Sequence, residues 1–438
     1  MKFVSIIIVN YNGAHHLKDC LGSLKALDYP EDRREVIVFD NGSADDSIRV
    51  IKKTLPAAKI IENPRNIGFA APHRTASDLC KGDVLAFLNN DMKADRQWLK
   101  EGTALLNPAK GIICSSSKIL SWNGKHTDFH GGSLQYLGYA DQLRDSVVNK
   151  GDNILFPCGG AMLINKDVFL DAGCFDDDYF AIFEDVDLGW RLWVMGYDIV
   201  MAPDSVVYHK GHSTLDSKKE EKKRFLMHRN ALMTIIKNYG DENLKKILPL
   251  ALVLSVKRAL LFMGVDKREF YFWEEREHAP AGGNDYKEAF IHLAALDDIF
   301  ESFEKIMGKR RVVQAKRKRD DNEIFPLFKD PFRNIMGYKE YLWEEASLFG
   351  NFNLDAVFQC NEEYGKRLEE GIYHARKTLS SLTDEIRKIS PEVKEAVKPA
   401  AGREFLVRKF YKNVREQGMG PTIKKTGGYL LRRWRRTI

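Results

Sequence analysis

The chain has 438 residues, 44% apolar and 30% charged, with a formal net charge of +6. That length exceeds one ordinary compact domain, and the composition excludes a globally disordered chain. The basic excess is local, crowding into residues 309–319 and 424–436, where it can meet nucleic acid, anionic lipid or solvent.

The opening run MKFVSIIIVN is too short for a secretory leader and has no small-residue cleavage site behind it. Its continuous apolar stretch predicts a strand covered on both faces. A helix follows, spaced by Leu17, Leu21, Leu24 and Leu27, then the strand EVIVFD and a helix that Ser and Asp residues can cap. AKIIENP predicts a third strand, GFAAPHRTASDLC a helix and DVLAFLNND a fourth strand. This βα alternation over residues 1–110 predicts an α/β fold: a mainly parallel sheet with helices on both faces. Ligands in such sheets sit at the carboxyl ends of the strands. The polar residues there, Asn10-Tyr11-Asn12, Asp40-Asn41 and Asn89-Asn90-Asp91, are therefore expected to converge.

Residues 111–210 read as short strands and Gly-rich turns, an acidic helix and a last strand ending at His209. Residues 220–265 read as helical, and Ile247–Val265, interrupted by Lys257 and Arg258, as a core helix or one lying in a membrane interface. No stretch reaches the ~20 uninterrupted apolar residues of a spanning helix. Three domains are expected: 1–240, a helical extension 241–330, and a mostly helical C-terminal region 331–438 with a basic tail. Cys20, Cys80, Cys114, Cys158, Cys174 and Cys360 show no CxxC spacing, so a reduced, cytosolic setting is the expectation.

Several segments have the residue types of a nucleotide site. Tyr11 offers a ring to stack on a base. Asp40 can accept from an imide or a ribose hydroxyl, Arg65 can reach a base or phosphate, and Gly68 lets the backbone pass close to a ligand. Each alone is also ordinary turn chemistry. In FEDVDLGWR, Asp185 stands at a helix start, suited as a general base toward a sugar hydroxyl. Asp187 and Arg191, four apart, are spaced as a structural ion pair. His209 is a ligand type for a divalent transition metal, with His212 close by.

The ordered set VSIIIVNYNG, VIVFDNGSADDS, NPRNIGFA, FLNNDM, PCGGAMLINKDVF through SVVYH, and HRNALMTIIKNY resembles inverting nucleotide-sugar glycosyltransferases of the family-2 type, with the GT-A fold, over roughly residues 1–240. The rhamnosyltransferase and galactofuranosyltransferase-like members are the nearest in kind. The resemblance implies that Asn10, Tyr11, Asn12, Asp40, Asn41, Arg65, Gly68, Asn89 and Asn90 lie at the nucleotide-sugar donor. It implies that Asp91 and His209 hold Mg2+ or Mn2+ and that Asp185 is the base. Gly159, Gly160 and Ala161, with Glu184 and Arg191, would line the donor and acceptor cleft. The partners implied are a nucleoside-diphosphate sugar and a glycan or lipid-linked acceptor. Trp434 in the basic tail suits peripheral contact with anionic membrane at the cytoplasmic face. No nucleic acid is expected, because acidic FDDDYF and FEDVD sit badly on phosphate. One departure, Ala71–Arg74 where relatives carry more Gly and Asn, bears on the corner that faces the sugar. The competing readings are a catalytically silent scaffold and a basic binding module.

Overall fold

The computed structural model describes residues 1–143, 148–211, 217–263, 286–332 and 354–358. The basic tail with Trp434, and His212, lie outside the described residues. Two compact units make up the chain, Met1–Tyr341 and Leu342–Ile438.

In the first unit, β1 (Val4–Asn10), α1 (Ala14–Lys25), β2 (Arg34–Asp40), α2 (Ser47–Thr54), β3 (Lys59–Glu62), α3 (Ala70–Asp78) and β4 (Val84–Leu88) alternate as expected. Then come β5 (Met92–Ala94), α4 (Trp98–Leu105), β6 (Ile112–Ser121), β7 (Thr127–Phe129), β8 (Gly132–Leu134), β9 (Ala140–Gln142), β10 (Ala161–Asn165), α5 (Lys166–Asp171), α6 (Glu184–Val194) and β11 (Asp198–His209). Helices α7 (Ser217–Asn238), α8 (Asp241–Phe262), α9 (Tyr286–Glu301), α10 (Phe303–Ala315) and α11 (Asp321–Ile324) follow. In the second unit the described residues include one short helix, α12 (Leu354–Val357).

The sheet runs β3-β2-β1-β4-β10-β6-β11-β5, with β7 on β6. β1 to β4 pair in parallel, β10 is antiparallel to both neighbours, and β5 is antiparallel to β11. The chain moves outward from β1 to β3, then returns past β1 to β4. Right-handed crossovers therefore put α1 and α2 on one face and α3 on the other. The reversal between β1 and β4 is a topological switch point, where parallel sheets open a crevice. β1 and β4 are almost wholly buried, which explains their unbroken apolar runs.

The Ala71–Arg74 departure serves packing. His73 is buried edge-on to Phe87 at 4.9 Å and Phe175 at 5.2 Å, and its Nδ1 bonds Phe69 O at 2.7 Å. Burial pushes its pKa down to about 4, so the ring is neutral. Arg74 donates to Gly173 O. The apolar run of α8 buries Leu244, Ile247, Leu250, Ala251, Leu254, Ser255, Arg258 and Ala259. This stripe of spacing three and four is that of a core-facing helix. Among the described residues no helix is long and apolar enough to cross a membrane.

The first basic run is largely paired within its own chain. Lys309 pairs with Asp176 and Asp178, and Arg310 donates to Ile236 O (2.7 Å) and Tyr239 O (2.6 Å) at the end of α7. Lys316 pairs with Asp171, Arg317 with Asp321, and Arg319 with Asp198. The Arg319 guanidinium also lies 4.8 Å from the Trp193 ring centre. Arg311 and Lys318 are its exposed basic residues. Most of the run's charge is therefore paired with acidic or carbonyl partners of the same chain, while Lys309, Lys316, Arg317 and Arg319 stay partly exposed.

Candidate active site

The register of β1 on β2 sets Asn10 level with Asp40. Asn10 Nδ2 donates to Asp40 Oδ1 (2.9 Å) and Ser43 Oγ (3.1 Å), while its Oδ1 accepts from Asn90 Nδ2 (2.8 Å). The ends of β1, β2 and β4 thus meet across the switch point. Asp40 also accepts from Ser43 N (3.0 Å) and Ser43 Oγ (2.7 Å). Asn12, at φ 49, takes Ala44 N on its Oδ1 at 2.8 Å. Asn41 donates to Gly68 O (2.7 Å) and accepts from Ile67 N (3.0 Å), pinning the loop that carries Arg65. These amides and Asp40 are mostly spent on shaping loops. The side chains left at the rim are Tyr11, 49% exposed, and Arg65, also exposed.

Beyond β4 the chain crosses to β5, whose pairing with β11 aligns Met92 with His209. That brings His209 Nε2 to 3.3 Å from Asp91 Oδ2, and His209 Nδ1 to 3.2 Å from Asp128 Oδ2. Burial alone would push the Asp91 carboxyl up, but the bond and charge of His209 outweigh it and hold it down. The bond to Asp91 raises His209 against its burial, and Asp128 adds to this. Asp91 Oδ1 is buried with no partner. An unsatisfied carboxylate oxygen beside an imidazole is a donor pair that fits a divalent cation, with Asp128 in the outer position that orients a ligating histidine. Asn89 lies over Gly160 instead, where a Cβ would sit 2.5 Å from its Nδ2. Asp128 was not singled out from the sequence, since its partner lies 81 residues away. Trp122 stands nearby, with Lys93 Nζ 4.2 Å and Lys210 Nζ 4.9 Å from its ring centre.

Gly159 and Gly160 separate this corner from α6. Asp185 Oδ2 accepts from Gly159 N and Oδ1 from Val186 N, both at 2.8 Å. A Cβ on Gly159 would lie 3.1 Å from that of Asp185, so the Gly pair is wedged between Asn89 and Asp185 with no room for side chains. Ala161 begins β10 and is fully buried. Burial pushes Asp185 up against these two N–H bonds. Glu184 is more enclosed, with Oε2 unpartnered; burial and the Asp185 charge push it up to about 8. Near neutral pH Glu184 keeps its proton.

The loop before α6 is strained: Phe180, Ile182 and Phe183 have φ of 59, 71 and 70. Such left-handed non-Gly residues persist only where the surroundings over-determine them. Asn230 Nδ2 faces the carbonyls of Tyr179 (3.1 Å), Ala181 (2.9 Å) and Ile182 (2.6 Å). Gly68, at φ 90, abuts Phe180, and Phe69 N donates to Phe180 O at 2.5 Å. Gly68 thus makes room for protein backbone here.

Arg191 does not face the cleft. Its guanidinium is buried, bonding Asp187 Oδ2 (2.8 Å), Ala172 O and Cys174 O (2.8 Å). Lys237 Nζ reaches the same Asp187 at 2.9 Å and Asp176 at 2.6 Å, and Asn238 Nδ2 donates to Asp187 Oδ1 at 3.0 Å. Arg191 therefore joins a buried network tying α6 to α7, whose further donors and acceptors i,i+4 spacing alone does not reveal.

Residues 5–172 match the family described as Glycosyl transferase family 2, and residues 120–265 match Glycosyl transferase family group 2. The chain is 26% identical over 217 residues to Glycosyltransferase AglE of Haloferax volcanii, covering 48% of this chain and 67% of that protein. It is 25% identical over 243 residues to an N-acetylglucosaminyl-diphospho-decaprenol L-rhamnosyltransferase of Mycobacterium tuberculosis, covering 48% and 76%. The solved structure of S. aureus TarS 1-349 in complex with UDP-GlcNAc overlays with a TM-score of 0.47 at 15% identity, covering 84% of this chain and 92% of that one. Over residues 5–172, which hold the strand ends and the Gly159-Gly160 pair, the chain is similar to family-2 glycosyltransferases.

Proposed function

We propose that the enzyme moves a sugar from a nucleoside-diphosphate sugar to a hydroxyl of a glycan or lipid-linked acceptor, in one displacement with inversion. The carrying observation is the wedge of Gly159 and Gly160, which sets Asp185 on one side and the Asn89–Asp91 strand end on the other. A single displacement needs this layout: a base toward the incoming hydroxyl and charge stabilisation toward the leaving diphosphate. In this reading Tyr11 and Arg65 meet the nucleotide, while Asn10, Asn12, Asp40 and Asn41 hold their loops in shape. Asp91 and His209 hold Mg2+ or Mn2+, which when bound supplies positive charge against the leaving diphosphate. Asp185 accepts the acceptor's proton on a carboxylate oxygen, and Glu184, protonated, adds no competing charge. The decaprenol-linked substrate in the mycobacterial relative's name supports a lipid-linked acceptor. Residues 424–436 are then the segment for contact with anionic membrane at the cytoplasmic face.

The test is a donor screen measuring UDP, GDP or dTDP release with and without Mn2+, run beside Asp185→Asn. Transfer should fall by roughly 10^2 to 10^4, the usual scale for a lost general base, with donor binding retained. Near-wild-type transfer in that variant removes Asp185 from the role. Absence of both donor turnover and nucleoside diphosphate binding removes the enzymatic reading.

A further inference from the structure

Away from the strand ends, α7 and α9 enclose three potential ligands. Glu288 and His292 are four apart on α9, hence on one helix face. His228 of α7 lies against them, its ring centre 4.0 Å from that of His292. One donor atom from each of the three can be chosen so that all lie within 4.8 Å of one another. His228 is 3% exposed and His292 1%. Neither nitrogen of His292 has a hydrogen-bond partner, nor does His228 Nε2. Buried, unpaired ring nitrogens are costly and call for an explanation. A neutral imidazole offers a ring-nitrogen lone pair that a transition ion can take.

The surroundings are ordered as a ligand shell requires. His228 Nδ1 lies 2.9 Å from Tyr139 Oη. With the ring N–H donating there, Nε2 presents its lone pair, 4.0 Å from Glu288 Oε1. Arg224 Nε holds the other Glu288 oxygen at 2.8 Å. We propose that His228, Glu288 and His292 bind a divalent transition ion of the zinc class, separate from the strand-end corner. Two imidazoles and a carboxylate select such an ion over Mg2+ or Ca2+, which prefer oxygen. Tetrahedral bonds of ~2.1 Å put ligand atoms about 3.4 Å apart, so the three side chains close inward on binding. Arg224 and Arg258 oppose a cation here, which favours an ion with strong intrinsic affinity for imidazole. The bound ion would join α9 to α7 two residues from Asn230, bracing the helix that clamps the strained loop.

The experiment uses the full chain carrying Asp91→Ala, stripped with chelator and given Zn2+ without nucleotide. Elemental analysis should then find about one Zn2+ per chain, the content of a mononuclear site, with a raised Tm. His292→Ala and Glu288→Gln, each added to that background, should lose the ion, and Mg2+ should not replace it. Retention of no Zn2+ by the Asp91→Ala protein, or equal retention after His292→Ala, overturns the proposal. Should the double variants fail to fold, Co2+ in the Asp91→Ala protein decides. Intense visible bands of a low-symmetry, imidazole-bound ion support the site, and absorption as weak as that of aqueous Co2+ overturns it.

Discussion

Asp91 is the one carboxylate of the Asn89-Asn90-Asp91 segment, and the two amides beside it are engaged with Gly160 and Asn10. In the proposed site a single protein carboxylate and one imidazole leave much of the countercharge to the donor's diphosphate. Mn2+ should therefore bind weakly alone and more tightly with nucleoside diphosphate; equal affinities by calorimetry would contradict this. Glu184 yields a second prediction through its folded pKa of about 8 against an ordinary 4.5. A carboxyl raised on folding binds its proton more tightly in the native state. Its contribution to stability is thus complete below 4.5 and is lost as pH rises toward and through about 8. Glu184→Gln removes this loss, so the Tm of the variant relative to wild type should climb across that window. A flat difference shows that Glu184 titrates normally.

At the scale of elements, the candidate base is aimed by parts distant in sequence. Asn230 on α7 serves three carbonyls of the loop entering α6. Asn230→Ala leaves those carbonyls without their shared donor, at a cost of about 1–3 kcal/mol. We expect a lower Tm and a lower kcat with nucleoside diphosphate affinity unchanged, measured by thermal unfolding, turnover and calorimetry. A change in affinity alone would place Asn230 at the donor instead. The segment HRNALMTIIKNY shows a residue pattern, but nothing in it says that Asn230 faces a loop near 180 or that Lys237 and Asn238 meet Asp187. Those partners lie about 50 residues upstream and come together only when α6 and α7 pack.

For the whole molecule, the basic run 309–319 separates charge count from charge use. Arg310 caps the end of α7 from a buried position, whereas Arg311 is exposed. Arg310→Ala should lower stability by about 1–3 kcal/mol, the cost of unsatisfied buried acceptors, while Arg311→Ala stays within about 0.5 kcal/mol. Equal, small effects in denaturant unfolding would show that the run contributes little. The alternating strands and helices, the core faces of β1 and β4 and the polar strand ends were all legible in the sequence. Each rests on local periodicity and turn chemistry, which neighbouring residues suffice to express. Tertiary structure alone decided which polar residues are spent on loops, that Asp128 stands behind His209, that Arg191 turns away from the cleft, and that most of the basic run pairs with partners in its own chain. These depend on pairings between residues far apart in the chain, and a side chain's charge or hydrogen-bonding capacity does not state which partner the fold will bring to it.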